Sequence, residues 1–143
     1  MHQNNVGQAL GLFREHGGGA YVCQEIGQRV RPSRPSAGVA ILCLGIEHTD
    51  LICRYYAALG LQKYAEAGLD IGDALAALEG ALADSALFRL ARSKVGEGAA
   101  RALVAAAKVK RLRKRVLDIL SRAVESGGKV AREHATEALA QLH

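Results

Sequence analysis

The segment Ala99–Val124 constrains the fold more than any other part of this sequence. It contains neither glycine nor proline and is rich in Ala, Leu, Lys and Arg, so it predicts one long α-helix. The chain of 143 residues has 26 alanines and 19 leucines but six aromatic residues, which favours closely packed helices. Its β-branched residues are few and scattered, which disfavours a large sheet. The sequence therefore predicts an all-α fold.

Apolar residues at helical spacing predict further helices on both sides of this segment. In chain order, the predicted helices are Val6–His16, Ala20–Val30, Ala37–Leu59, a short piece between Gly60 and Gly68, one that begins at Asp70 or Gly72 and includes Leu75, Leu78 and Leu82, Ala99–Val124 and Lys129–Leu142. Ser85–Ser93 is predicted either to continue the fifth of these helices or to turn a corner. Both prolines fall in residues 31–36, which predicts an extended connector. Val95–Gly98 and Gly127–Gly128 are predicted helix breaks. We expect a single-domain bundle of six or seven helices over residues 1–143, without strands.

Three features of the sequence favour a cytoplasmic protein. The cysteines Cys23, Cys43 and Cys53 are odd in number and form no Cys-x-x-Cys pair, so we expect reduced and mostly buried thiols. Met1–Val6 is polar and does not resemble the start of a signal peptide. The longest apolar run, Ala37–Ile46, is shorter than the roughly 20 residues of a membrane span. No membrane partner is expected.

The positive charge of the chain is concentrated in one segment. The formal net charge is +5, and residues 89–115 alone contain ten Lys or Arg and one acid, Glu97. Like charges three or four residues apart destabilise a helix slightly, and closely spaced cations can neutralise phosphates. This basic segment is therefore where a polyanion is expected to bind. The candidate nucleic-acid-binding residues are Arg92, Lys94, Arg101, Lys108, Lys110, Arg111, Arg113, Lys114 and Arg115.

Projection at about 100° per residue divides the long predicted helix into two faces. The predicted packing face comprises Ala102, Ala105, Val109, Leu112, Val116, Ile119, Leu120 and Ala123. The opposite arc comprises Lys110, Arg111, Lys114, Arg115 and Arg122, with Lys108 and Arg113 beside the apolar stripe. Leu103 and Leu117 fall on or beside the basic arc, which suggests contact with a neighbouring subunit. The basic segment has no aromatic residue for base stacking, so we expect backbone contacts without sequence readout.

Catalytic and metal-binding patterns are weak in this sequence. Glu47–His48 and Glu133–His134 are adjacent pairs, which point about 100° apart on a helix and cannot chelate one ion together. His48 beside Asp50 and Arg54 is interpreted as a half-buried polar contact. No phosphate-binding loop or nucleophile elbow is present, so no metal and no cofactor is expected. An enzyme that uses Cys43, Cys53 or His48 remains a third hypothesis.

Two short segments resemble a known family. Gln3–Phe13, with the sequence QNNVGQALGLF, resembles a helix of the small subunits of type III CRISPR effector complexes, and Arg54–Ala65 is similar to a later helix of that family. The resemblance implies a non-catalytic helical subunit that stacks with copies of itself along a ribonucleoprotein in antiviral defence. It carries over no binding residue, because the basic segment lies outside it. Arg54–Ala57 is also similar to a stretch of helical HEPN domains, whose Arg-x4-His ribonuclease motif this chain lacks.

The charge pattern and the resemblance lead to one main hypothesis. The chain is expected to be a non-catalytic subunit that binds the backbone of RNA or single-stranded DNA through residues 89–115, independently of sequence. We expect it to associate with itself or with other subunits of a larger nucleoprotein assembly. The alternative hypothesis is a helical scaffold or adaptor whose basic face binds an acidic protein.

Overall fold

A computed structural model of the chain describes residues 35–143. The six α-helices of this part of the chain are α1 Pro35–Ile46, α2 Leu51–Glu66, α3 Leu75–Ala81, α4 Val95–Ala106, α5 Arg113–Ser126 and α6 Lys129–Leu142. Two 3-10 turns, Gly72–Ala74 and Lys110–Leu112, lead into α3 and α5. The predicted all-α bundle is confirmed. The predicted helices Val6–His16 and Ala20–Val30, and most of the connector over residues 31–36, lie outside the described residues.

Helix α4 occupies the centre of the bundle and packs against α2, α3, α5 and α6. Nine of its 12 residues are buried, mostly Ala and Gly, whose small side chains let neighbouring helices approach closely. A Cβ atom placed on Gly98 would lie 3.4 Å from Cβ of Ala58 on α2. None of the helices in residues 35–143 is long and apolar enough to cross a bilayer.

The predicted helix Ala37–Leu59 is wrong, because the chain turns between α1 and α2. Asp50 caps α2 by accepting a hydrogen bond from the backbone N–H of Ile52 at 2.9 Å, and Nδ1 of His48 accepts one from the N–H of Asp50 at 3.0 Å. These local bonds compete with helix continuation. Helix α2 then continues through Gly60, and α1 begins at Pro35, inside the predicted connector. Proline is well suited to a first helical position.

The long predicted helix Ala99–Val124 is also wrong, because it is divided into α4 and α5. Residues 107–112 form a turn in which the N–H of Leu112 bonds to the carbonyl of Val109 at 2.8 Å, and Leu112 is fully buried. The predicted packing face is nevertheless buried from Ala102 to Ala123, except that Val109 is half-buried. Leu103, which was predicted to lie beside the basic arc, is fully buried, because the turn ends the single helix on which that projection rested.

The predicted break at Val95–Gly98 is instead the first turn of α4. Gly96 lies against α6, where a Cβ atom would come within 2.6 Å of Nδ1 of His134 and 2.7 Å of the carbonyl oxygen of Leu82. Glycine is required here by close packing and does not break the helix. The predicted break at Gly127–Gly128 and the predicted helix Lys129–Leu142 are confirmed.

The expectation of a bundle without strands is wrong, because a short β-hairpin connects α3 to α4. Strands β1 (Leu87–Phe88) and β2 (Ser93–Lys94) are antiparallel, with Leu87 opposite Lys94 and Phe88 opposite Ser93. Residues 89–92, here called the hairpin tip, join them. Phe88 is buried against Tyr55 and Tyr56 of α2, with ring centroids 4.7 and 5.7 Å away. This aromatic cluster holds the hairpin on the bundle.

Candidate nucleic-acid interface

Helix α4 separates the nine predicted binding residues into two groups. Arg92, Lys94 and Arg101 lie at the hairpin and on the adjoining part of α4. The second group, here called the basic junction, lies at the other end of α4 and comprises Lys108, Lys110, Arg111, Arg113, Lys114 and Arg115. At about 1.5 Å of rise per residue, the 12 residues of α4 span about 18 Å. Arg92 and Lys94 are therefore separated from the basic junction by the length of α4, and Arg101 lies about halfway along that helix.

The three arginines of the basic junction contact neighbouring parts of the bundle. Arg111 forms an ion pair with Asp70, in the segment before the first 3-10 turn. Nη2 of Arg115 lies 3.4 Å from the carbonyl oxygen of Gly72, and Nη2 of Arg113 donates to the carbonyl oxygen of Leu142 at 3.0 Å. These arginines therefore fix the start of α5 against α6 and the Asp70–Gly72 segment.

The three lysines of the basic junction differ from its arginines in their contacts with the bundle. Lys108, Lys110 and Lys114 are exposed, and none of their ammonium groups has a hydrogen bond or an ion pair with another residue in 35–143. The first turn of α5 contains no acidic residue, although carboxylates are the side chains that the positive end of a helix favours. The positive potential of the three ammonium groups is thus added to that of the helix end.

The hairpin group lies beside an exposed apolar residue. Arg92 is exposed and adopts a left-handed conformation with φ 52°, while Lys94 is half-buried in β2. Nη1 of Arg101 donates to Oγ of Ser93 at 3.2 Å, and its Nη2 lies 3.6 Å from a carboxylate oxygen of Glu97. Leu90, in the hairpin tip, is 89% exposed. No sequence pattern singles out Leu90, because its exposure depends on the hairpin.

Two tyrosines also lie near the hairpin, although the basic segment itself contains no aromatic residue. Tyr55 and Tyr56 are half-buried in α2 and contact Phe88, the residue that precedes the hairpin tip. Their proximity to the hairpin arises from the packing of β1 on α2, which no local pattern indicates.

The residues considered for catalysis are embedded in the fold. Burial raises the pKa of the Cys43 thiol, and the nearby carboxylates of Asp73 and Glu47 raise it further, which disfavours the nucleophilic thiolate. Cys53 is buried in the core. His48 is half-buried and accepts the local hydrogen bond described above, in line with its interpretation as a polar contact. Residues 35–143 contain no group of three His, Cys, Asp or Glu side chains placed to hold a metal ion.

The candidate interface is therefore defined by geometry and charge at the two ends of α4. One end presents three lysines without partners in the described part of the chain, beside three anchored arginines. The other end presents an exposed leucine between arginines on a short hairpin. No protein-family model, no curated protein and no solved structure matches this chain.

Proposed function

We propose that this chain binds the phosphate backbone of RNA or single-stranded DNA through the basic junction, as a non-catalytic subunit of a larger nucleoprotein assembly. The observation that carries the proposal is the exposure of Lys108, Lys110 and Lys114 without a partner in residues 35–143. Other cations of the bundle do have acidic partners, since Arg54 pairs with Asp84 and Arg122 pairs with Glu79. The lysines of the junction remain accessible to an external anion.

The energetic argument is electrostatic. The three lysines lie within seven residues around the α4–α5 turn, so their like charges repel when no anion is bound, and a phosphate backbone removes that repulsion. Each phosphate that a lysine neutralises also releases condensed counterions, which favours binding at low salt. Three lysine contacts with a single strand correspond to a slope of about −2 in a plot of log K against log salt concentration.

Binding at the junction is expected to be independent of base sequence. Lysine is a flexible point charge that recognises a phosphate without the fixed geometry needed to read a base edge. No aromatic residue lies in the basic junction to stack on a base. The contacts at this end of α4 would therefore position a strand without reading its sequence.

The proposal that the protein acts within an assembly has separate support. Gln3–Phe13 and Arg54–Ala65 are similar to segments of the small subunits of type III CRISPR effector complexes, and this resemblance implies a non-catalytic subunit that stacks with copies of itself along a ribonucleoprotein. The first of these segments lies outside the described residues, and the second falls within α2. The resemblance therefore supports the proposed protein partners, whereas the basic junction supports the proposed nucleic-acid ligand.

The test is fluorescence anisotropy of the full chain with labelled oligouridylate, oligodeoxythymidylate and duplex DNA, titrated over a range of salt concentrations. The variant Lys108→Gln/Lys110→Gln/Lys114→Gln removes three charges from the junction and leaves Arg111 and Arg115 in their structural contacts. The matched control is Lys63→Gln/Lys129→Gln/Arg132→Gln, which removes the same charge from other parts of the surface. Circular dichroism checks that both variants fold.

We expect the junction variant to lose most single-strand binding and the control to lose little. The salt slope of the junction variant should fall by about 2. Equal losses in the two variants would mean that net charge, and not this site, accounts for binding. If the wild-type protein binds none of the three probes at low salt, the nucleic-acid proposal fails, and the hypothesis of an acidic protein partner takes its place.

A further inference from the structure

We propose that the hairpin is a second contact for the same strand, in which Leu90 packs against the bases while Arg89 and Arg92 hold the flanking phosphates. This inference rests on the proposed function and adds a base contact to it, at the opposite end of α4 from the basic junction. The ligand class is a single-stranded nucleic acid, whose bases are accessible without unstacking a duplex. Three independent features of the hairpin support the proposal.

The first feature is the exposure of apolar side chains where the hairpin projects. Leu90 is 89% exposed and Leu87 is 50% exposed, while the intervening Phe88 is buried in the bundle. Isolated exposed leucines are common on protein surfaces. Leu90 lies in the four-residue connection between Arg89 and Arg92, so the hairpin tip suits a ligand with both apolar and anionic parts. A nucleic-acid strand has both, in its base faces and its phosphates.

The second feature is the backbone conformation of Arg92. Its φ of 52° lies in the left-handed region, where a side chain with a Cβ atom is strained and glycine is favoured. Arginine nevertheless occupies this position in the hairpin tip, although its side chain makes no hydrogen bond or ion pair with residues 35–143. A strained residue that contributes no contact to the fold is typical of a functional position. The property that arginine adds here is an exposed positive charge.

The third feature is the charge around the hairpin. Residues 85–96 include Arg89, Arg92 and Lys94 and no acidic residue. The nearest carboxylates in sequence are already engaged, since Asp84 pairs with Arg54, and Glu97 accepts a hydrogen bond from the N–H of Lys94 at 3.1 Å. The field at the hairpin tip is therefore positive, which complements a phosphate backbone and opposes a cationic partner.

The hairpin is also held firmly enough to present Leu90 in a defined position. The N–H of Ala91 bonds to the carbonyl of Phe88 at 3.2 Å, and the N–H of Val95 bonds to the carbonyl of Ala86 at 3.0 Å. Below the tip, Phe88 is anchored on Tyr55 and Tyr56. A pre-organised contact loses less conformational entropy on binding than a mobile loop would.

The experiment separates base contacts from phosphate contacts by means of an abasic strand. Anisotropy is measured for the full chain with labelled oligodeoxythymidylate and with an abasic oligodeoxynucleotide of the same length and charge. The test variant is Leu90→Ser, and the control is Leu44→Ser, which replaces a leucine of α1 that is 47% exposed. Both substitutions replace a surface leucine, so neither is expected to unfold the protein.

We expect Leu90→Ser to weaken binding of oligodeoxythymidylate about fivefold and to leave binding of the abasic strand unchanged, whereas Leu44→Ser changes neither. Equal affinity of wild type and Leu90→Ser for oligodeoxythymidylate would overturn the base contact and leave the junction proposal intact. Binding of neither strand by the wild type would overturn both. A Leu90-dependent association with phosphatidylserine vesicles, without the difference between the two strands, would assign the hairpin to a membrane surface and refute this inference.

Discussion

Nε of Arg54 lies 2.7 Å from Oδ2 of Asp84, and this ion pair joins the start of α2 to the segment that leads into the hairpin. Both side chains are largely buried, at 20% and 19% exposure. Nη1 of Arg54 also donates to the carbonyl oxygens of His48 and Thr49, and Oδ1 of Asp84 accepts from the N–H of Ala86. The pair thus connects the α1–α2 turn with the base of the hairpin.

We predict that Asp84→Asn destabilises the protein by about 1–2 kcal/mol. The amide can still accept from Ala86, but it leaves the Arg54 guanidinium without its charged partner in a largely buried position. Urea unfolding followed by circular dichroism measures the change. Glu125→Gln is the control, because Glu125 is exposed and has no partner in the described part of the chain. A loss no larger than that of the control would show that the ion pair contributes nothing to stability.

Two glycine substitutions are predicted to have opposite effects. Gly96→Ala should destabilise the protein by about 2–3 kcal/mol, since the new methyl group would overlap the His134 ring and the Leu82 carbonyl. Gly80→Ala should stabilise it by about 0.5–1 kcal/mol, because Gly80 lies in α3 with open space around it and alanine favours a helix. Thermal and urea unfolding of the two variants test the difference. A stable Gly96→Ala variant would contradict the close contact between α4 and α6.

Arg92→Gly is predicted to raise stability and lower nucleic-acid affinity together. Glycine relieves the left-handed strain at this position, worth about 0.5–1 kcal/mol after the entropy of the unfolded chain is counted, and it also removes a cation from the hairpin tip. Arg89→Gly is the matched control, because Arg89 is not in the left-handed region, so the same charge is lost without relief of strain. Unfolding curves and anisotropy are measured on both. Destabilisation by Arg92→Gly would mean that the arginine side chain supports the fold.

Alkylation of Cys43 is predicted to be slow up to alkaline pH. Burial, followed by the negative charges of Asp73 and Glu47, raises the pKa of its thiol, so the reactive thiolate forms at higher pH than in the unfolded chain. The protonated Cys43 thiol makes its full contribution to the free energy of unfolding below the pKa that the thiol has in the unfolded chain. That contribution is lost as the pH rises through the higher pKa of the folded protein. Iodoacetamide labelling, with peptide mass spectrometry to separate the three cysteines, gives the rate at each pH.

Asp73→Asn supplies the second arm of that measurement. Removal of this carboxylate should lower the Cys43 pKa and increase its alkylation rate at a fixed alkaline pH. Cys53, which is fully buried, should label more slowly than Cys43 in both proteins. A pH profile of Cys43 equal to that of the urea-unfolded chain would contradict the predicted shift.

The sequence predicted the positions of buried residues better than the ends of helices. Apolar periodicity identified the packing residues from Ala102 to Ala123, because burial of the same side chains is required on either side of the turn at residues 107–112. The turn itself contains no glycine or proline and is stabilised by the burial of Leu112. At Val95–Gly98 a helix break was predicted where the helix is continuous, because glycines that allow close packing were interpreted as a break. Tertiary contacts decided both cases.

The candidate site was only partly accessible to sequence reasoning. Charge counting located the basic segment, but it treated lysines and arginines alike. Their different roles depend on Asp70, Gly72 and Leu142, which are far from the junction in sequence or on another element. The exposure of Leu90 likewise depends on a hairpin of two-residue strands, which is too short to produce an alternating pattern.

The length of α4 sets a spacing between the two groups of cations. Its roughly 18 Å equals about five nucleotides at the stacked spacing of about 3.4 Å per phosphate along one strand. For the proposed ligand, a stacked oligonucleotide shorter than this would reach one end of α4 only, while a longer one would bridge both and gain from the high effective concentration of the second contact. If the two proposed contacts act together, the central helix sets a minimum ligand length for engaging both of them, whatever the base sequence.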